Sequence, residues 1–159
     1  MAALSPGDQA PAFTLDDQTG SPVSLRDFAP GRVIVYFYPA ALTPGCTTEA
    51  IDFSARLGDF ARAGVRIVGI SPDRVARLAE FTTKHDLRVT LLADPARTTI
   101  DAYGAWGTKV LYGKPVEGVI RSTVVVDVDS SGAGTVVWAE YNVRATGHVD
   151  RLMRQLLPA

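Results

Sequence analysis

The stretch "RVIVYFYPAALTPGCTTEAIDF", Arg32 to Phe53, joins a short run of β-branched and aromatic residues to a segment with helical spacing. Arg32 to Tyr38 is nearly continuously apolar, the pattern of a central strand covered on both faces. After it, Ala50, Phe53, Leu57, Phe60 and Ala61 recur at three- and four-residue intervals until Gly64, which predicts an amphipathic helix. Between the two lies Thr43-Pro44-Gly45-Cys46. With Thr43 as N-cap, Pro44 falls at N1 and Cys46 in the first helical turn, in line with known preferences. A buried strand leading directly into a helix is the start of an α/β unit.

Working outward, the alternation continues. "VRIVGI" (Val65 to Ile70) reads as a second buried strand, and "SPDRVARLAEFTTKH" as a helix with Ser71 as N-cap, Pro72 at its first position and Val75, Leu78 and Phe81 inward. "VTLLAD" (Val89 to Asp94) is a third strand. "PARTTIDAYGAWG" is a short helix and loop, and "GKPVEG" a turn-rich connection. "VIRSTVVVDVD" and "TVVWAEYNV", flanking "SSGAG", predict an antiparallel hairpin, and Val149, Leu152, Met153 and Leu156 give a terminal helix one apolar face. On the N-terminal side, the runs around Phe13 to Leu15 and Val23 to Leu25 predict another hairpin. The expected architecture is α/β: a thioredoxin-like fold with an N-terminal β-hairpin extension and a mixed central sheet flanked by helices. With 159 residues and no repeat or long linker, a single domain over 1–159 is expected.

The composition narrows the function classes. Apolar residues at 47% and charged residues at 21% are those of an ordinary globular protein. A net charge of −1 gives no overall basic field for nucleic acid or an anionic membrane. No apolar run approaches a membrane span and the N-terminus lacks a secretory pattern, so a cytoplasmic location is the default. His85 and His148 are far apart and lack a second ligand at metal spacing, so neither is assigned a metal, and no cofactor is expected. His148 is read as structural.

Cys46 is the only cysteine. It cannot form an internal disulfide, so it is either an inert buried thiol or a reactive one. Its place in a first helical turn favours a thiolate, because unpaired N–H groups and the helix dipole stabilise negative charge there; the pKa is expected below the free value of about 8.5. Thr43 and Pro44 are also explained as helix starters alone. The local pattern stops short of a reaction.

The stretch "PAALTPGC" fits PxxxTxxC, and with it the chain resembles the peroxiredoxins, with Pro39, Thr43 and Cys46 at the fixed places. The longer "YFYPAALTPGCTTEA", together with "GDQAPAFTL", "GISPD", "LLADP", "YGAWGTKVLYGK", "GVIRSTVVVD" and "GH" in order, is similar to the bacterioferritin comigratory protein, or peroxiredoxin Q, subfamily over nearly the whole chain. The resemblance implies a thiol-dependent peroxidase without cofactor. Cys46 would attack a hydroperoxide and become a sulfenic acid, Thr43 would hydrogen-bond the peroxide, Pro39 would shield the site and Arg121 would hold the thiolate. Glu49, Tyr38 and Trp106 would be supporting residues. For Glu49 a first-turn carboxylate is an equal local reading, and for Trp106 and Tyr103 packing is the plainer one.

Many members of that subfamily carry a second cysteine five residues after the first; here the place is Ile51. The implied cycle uses one cysteine, with the sulfenic acid attacked by an external thiol such as thioredoxin, a glutaredoxin system or a low-molecular-weight thiol. Sulfinic acid formation at high peroxide is then expected. The expected assembly is a monomer or weak homodimer. The competing reading is a non-enzymatic peroxide sensor or binding module on the same scaffold. A disulfide reductase of the CxxC type is excluded by the single thiol.

Overall fold

The computed structural model describes residues 3–157. Its centre is strand β4 (Gly31–Phe37), whose residues from Val33 onward are buried on both faces. Strand periodicity sends Ile34, Tyr36 and Tyr38 into one core and Val33, Val35 and Phe37 into the other. The first core is closed by α1 (Pro44–Arg62), α2 (Val75–His85) and α4 (His148–Leu156), through Phe53, Phe60, Leu78, Phe81, Val149 and Leu152. The second is closed by the short α3 (Thr98–Ala102), the following Tyr103, and the N-terminal segment through Phe13 and Leu25. Each fully buried side chain of this size stabilises by about 1.5–3 kcal/mol, so β4 and the helices against it anchor the fold.

Among the described residues the main sheet has eight strands, in the order β1-β10-β9-β4-β5-β6-β2-β3. β4 runs parallel to β5 (Val65–Ser71), and β5 parallel to β6 (Thr90–Ala93), as two crossovers through α1 and α2 require. β9 (Ser122–Val128) lies antiparallel on the other side of β4, paired in turn with β10 (Gly134–Tyr141) and the two-residue β1 (Gln9–Ala10). The predicted N-terminal hairpin is β2 (Thr14–Asp17) with β3 (Pro22–Ser24), added to the sheet through β6. The mixed sheet flanked by helices is thus the one expected. β4 ends at the start of α1 and β9 begins beside that same end, which brings residues 43–49 and 121 together.

Three local expectations are corrected. Ser71 does not cap α2: it ends β5, its hydroxyl donates to Asp73, and the helix begins at Val75 after Arg74. The Ser71 hydroxyl exchanges hydrogen bonds with Asp73 alone, and the chain bends at Pro72 before the helix starts. "GKPVEG" is not a mere connection. It belongs to a hairpin of β7 (Trp106–Leu111) and β8 (Lys114–Val119), closed by Tyr112 and Gly113, both at positive φ. Its strands were hidden because much of their apolar content faces solvent, with Val110 70% exposed, so the alternation has no buried face to reveal. Ala61, placed on the inner face of α1, is exposed near that helix's end. Gly64 does close α1, at φ 77°.

Candidate active site

The site is built where β4 gives way to α1. Tyr38 N–H donates to Ile70 O (3.1 Å), keeping the chain on the sheet as far as Pro39. Ala41 N–H then donates to Asp73 Oδ2 (2.7 Å), and Ser71 Oγ donates to the same oxygen (2.8 Å). Asp73 therefore fastens the incoming loop to the end of β5. Leu42 adopts φ 68°, a conformation costly for a bulky side chain, and the chain turns into the helix at Thr43.

Thr43 is the N-cap and Pro44 stands at N1, as the sequence predicts. Its backbone carbonyl accepts the first helical bond from Thr47 N–H (2.9 Å), but its hydroxyl makes no cap. Thr43 Oγ1 donates instead to Ala40 O (2.7 Å). The Gly45 and Cys46 amides consequently lack a side-chain cap, and the positive end of α1 is left to whatever lies above it.

Cys46 is 1% exposed, with its sulfur beside the guanidinium of Arg121. Arg121 Nη2 donates to Cys46 Sγ at 3.3 Å, and Nη1 to Glu49 Oε1 at 2.7 Å. One rigid fork thus bridges the thiol and a carboxylate one turn further along the same helix. Gly45 makes this possible: a side-chain carbon there would lie 3.3 Å from Arg121 Nη2. Burial pushes the Glu49 carboxyl up to about 7, while Arg121 draws it back down. Burial also pulls the Arg121 guanidinium down, yet Glu49 and Cys46 outweigh that and leave it above its ordinary value.

Buried polar atoms without partners gather here. Tyr36 Oη, Tyr38 Oη and Glu49 Oε2 are three of the four such side-chain atoms among the described residues. Burial raises both tyrosines well above their ordinary values. Unpaired buried polar groups are uncommon in folded proteins, and each takes a partner from outside the chain, an ordered water or a bound molecule.

Of the residues singled out from sequence, Cys46, Arg121, Glu49 and Tyr38 come together on this end of the sheet; Thr43 is exposed at the helix N-cap with its hydroxyl on Ala40 O, and Pro39 is half-buried beside Tyr38. Trp106 does not join them by any hydrogen bond or ring contact. It packs with the second core beneath the Arg97 guanidinium, 3.9 Å from the ring centre. Tyr103 is also in that core, its hydroxyl donating to Pro11 O. Asp73 was missed; the signal available was the "SPD" turn, read as a helix start. His148 is structural, as expected: Arg151 donates to Nδ1 (3.0 Å), so Nε2 carries the proton and donates to Thr123 Oγ1 (2.7 Å).

The site is thus a solitary, buried thiol in a first helical turn, held by an arginine that stands just before β9. The AhpC/TSA family pattern matches residues 6–132. This chain is a peroxiredoxin of the AhpC/TSA family. It is 58% identical over 153 residues to a Mycobacterium tuberculosis protein with a provisional peroxiredoxin name, covering 96% of this chain and 95% of the relative. Peroxiredoxin Bcp of Escherichia coli is 42% identical over 129 residues, 81% of this chain and 83% of that one. The solved bacterioferritin comigratory protein of Xanthomonas campestris, studied for alkyl peroxide reduction, superposes with a TM-score of 0.81 at 35% identity over 91% of this chain and 89% of its own. The likeness fixes the thioredoxin-like fold and the enzyme class: a peroxiredoxin reduces a peroxide at the expense of a thiol. The non-enzymatic module is set aside by this membership. No helix among the described residues is long and apolar enough to cross a membrane.

Proposed function

We propose that this peroxiredoxin, acting as one domain over residues 1–159, reduces hydrogen peroxide and organic hydroperoxides through a one-cysteine cycle. The observation that supports it most is the Arg121 fork, 3.3 Å from Cys46 Sγ and 2.7 Å from Glu49 Oε1, set over an uncapped helix start. A fixed cation and free amides beside one sulfur stabilise both the attacking thiolate and the charge that grows on the peroxide oxygens.

In the first step the Cys46 sulfur bonds to one peroxide oxygen as the O–O bond breaks. The sulfur is oxidised to a sulfenic acid, and the other oxygen takes a proton and leaves as water or an alcohol. Thr43 hydrogen-bonds the peroxide, with hydroxyl lone pairs left free by its bond to Ala40 O. Pro39 limits water at the sulfur. Glu49 positions Arg121, and Tyr38 packs in the core with Cys46.

Cys46 has no second cysteine to resolve it. An external thiol attacks the sulfenic sulfur, releasing water and leaving a mixed disulfide; a second thiol frees Cys46 and departs as a disulfide. Thioredoxin, a glutaredoxin system and low-molecular-weight thiols all satisfy this chemistry. Intact-mass spectra test the cycle. One equivalent of hydrogen peroxide should add one oxygen to the wild type, and later thiol should convert that species to a mixed disulfide, neither occurring in Cys46→Ser. Oxygen uptake that survives Cys46→Ser would end the proposal.

A further inference from the structure

A polar cavity of about 410 Å³ lies beside the site, between the loop after β10 and helix α4. Arg144, Arg151 and Arg154 line it against one carboxylate, Glu140. Arg151 is already committed: it donates to Glu140 Oε1 (2.9 Å) and to His148 Nδ1 (3.0 Å). Arg144 and Arg154 have no carboxylate partner among the described residues, so the cavity holds an uncompensated positive charge in a chain of net charge −1. Two unpaired guanidiniums facing one concave space are an anion-binding arrangement.

The loop that forms its wall adjoins Arg121 and the first turn of α1. Val143, in the cavity lining, donates its N–H to Arg121 O (2.9 Å), the residue whose guanidinium touches Cys46. Ala145, between the lining residues Arg144 and Thr146, stands where a side-chain carbon on Gly45 would meet it at 3.6 Å. A molecule held by Arg144 and Arg154 is therefore delivered next to the first turn of α1.

We infer that this cavity is a binding subsite for the carboxylate group of a small, hydrophilic thiol that reduces oxidised Cys46, an inference resting on the one-cysteine reading above. Val143 is the only aliphatic side chain in the lining, so the cavity does not suit the alkyl tail of a lipid hydroperoxide. A chain without a second thiol gains most from raising the local concentration of an external one. The anchored thiol attacks the Cys46 sulfenic sulfur, its proton and the sulfenic hydroxyl leave as water, and a second thiol molecule completes the reduction.

The test compares mercaptosuccinate with neutral 2-mercaptoethanol as reductants of the sulfenic protein, each rate corrected for its thiolate fraction. Mercaptosuccinate should be preferred by roughly fivefold at low ionic strength, and Arg144→Ala/Arg154→Ala should abolish the preference while leaving oxidation by hydrogen peroxide unchanged. Equal rates in the wild type, or a preference that survives the double substitution, would overturn it. So would a double variant slowed only in its oxidation by linoleic acid hydroperoxide, which would give the cavity to the peroxide. A second readout needs no turnover: succinate titrated into the reduced wild type should shift the amide resonances of residues 142–147, and not those of the double variant. If Cys46 proves inert to peroxide, the peroxidase cycle fails while this titration still decides the subsite, and absent shifts would refute it.

Discussion

Arg121 is the side chain whose removal should cost the reaction most, because among the described residues it alone donates to Cys46 Sγ, and it holds Glu49 with its other terminal nitrogen. Arg121→Ala should slow oxidation of Cys46 by about a hundredfold, the scale of losing one aligned donor to a developing charge. Arg121→Lys should recover little of it, since one ammonium cannot reproduce a fork that serves both partners. Thr43→Val should cost about tenfold, the worth of one hydrogen bond in the transition state. Stopped-flow measurement of thiol loss checks these values; unchanged rates would remove both residues from the chemistry. With thiol withheld and peroxide in excess, mass spectra should show two and then three oxygens on Cys46. At this scale the sequence made Thr43, Pro44 and Cys46 legible, because they are neighbours in one helix start. Arg121 and Glu49 stand 72 positions apart, and only the resemblance joined them.

Elements explain why the loop before α1 is so well placed. Gly69 of β5 lies opposite Tyr36 of β4, and a side-chain carbon there would come within 2.5 Å of the Tyr36 ring. Gly69→Ala should destabilise the protein by about 1–3 kcal/mol through overpacking, seen as a lower denaturant midpoint; an unchanged midpoint would mean the ring has room to move. Asp73→Ala strips acceptors from Ala41 N–H and Ser71 Oγ at once. It should slow peroxide reaction by loosening the Cys46 loop, with the loss appearing as faster amide exchange at Ala41. The buried strands and the long helix could be read from period alone, since their neighbours impose clear faces. The start of α2 and the β7–β8 hairpin could not, for opposite reasons: the first depends on where one serine hydroxyl turns, the second on strands that bury almost nothing.

Across the whole molecule, two buried titratable groups pull stability in opposite directions with pH. Burial raises Glu49 from 4.5 to about 7, so the folded state binds the extra proton; its contribution is full below about pH 4.5 and is lost as pH rises through 7. Burial, then Arg151 and Arg121, lower His148 from 6.5 to about 4; its contribution is full above 6.5 and is lost as pH falls through 4. Between about pH 4.5 and 6.5 the two slopes oppose each other. Glu49→Gln should therefore make stability rise more steeply with pH across that window, and His148→Gln should make it fall, as urea unfolding at stepped pH would show. The central claim, that the fold makes Cys46 a peroxide-reactive thiol, is tested most directly by the second-order rate constant of the reduced protein with hydrogen peroxide, set beside that of free cysteine at the same pH. The arrangement of Arg121, the open amides of α1 and the buried sulfur predicts a rate constant at least a thousandfold larger, on the order of what electrostatic stabilisation supplies; a value equal to that of free cysteine would contradict it.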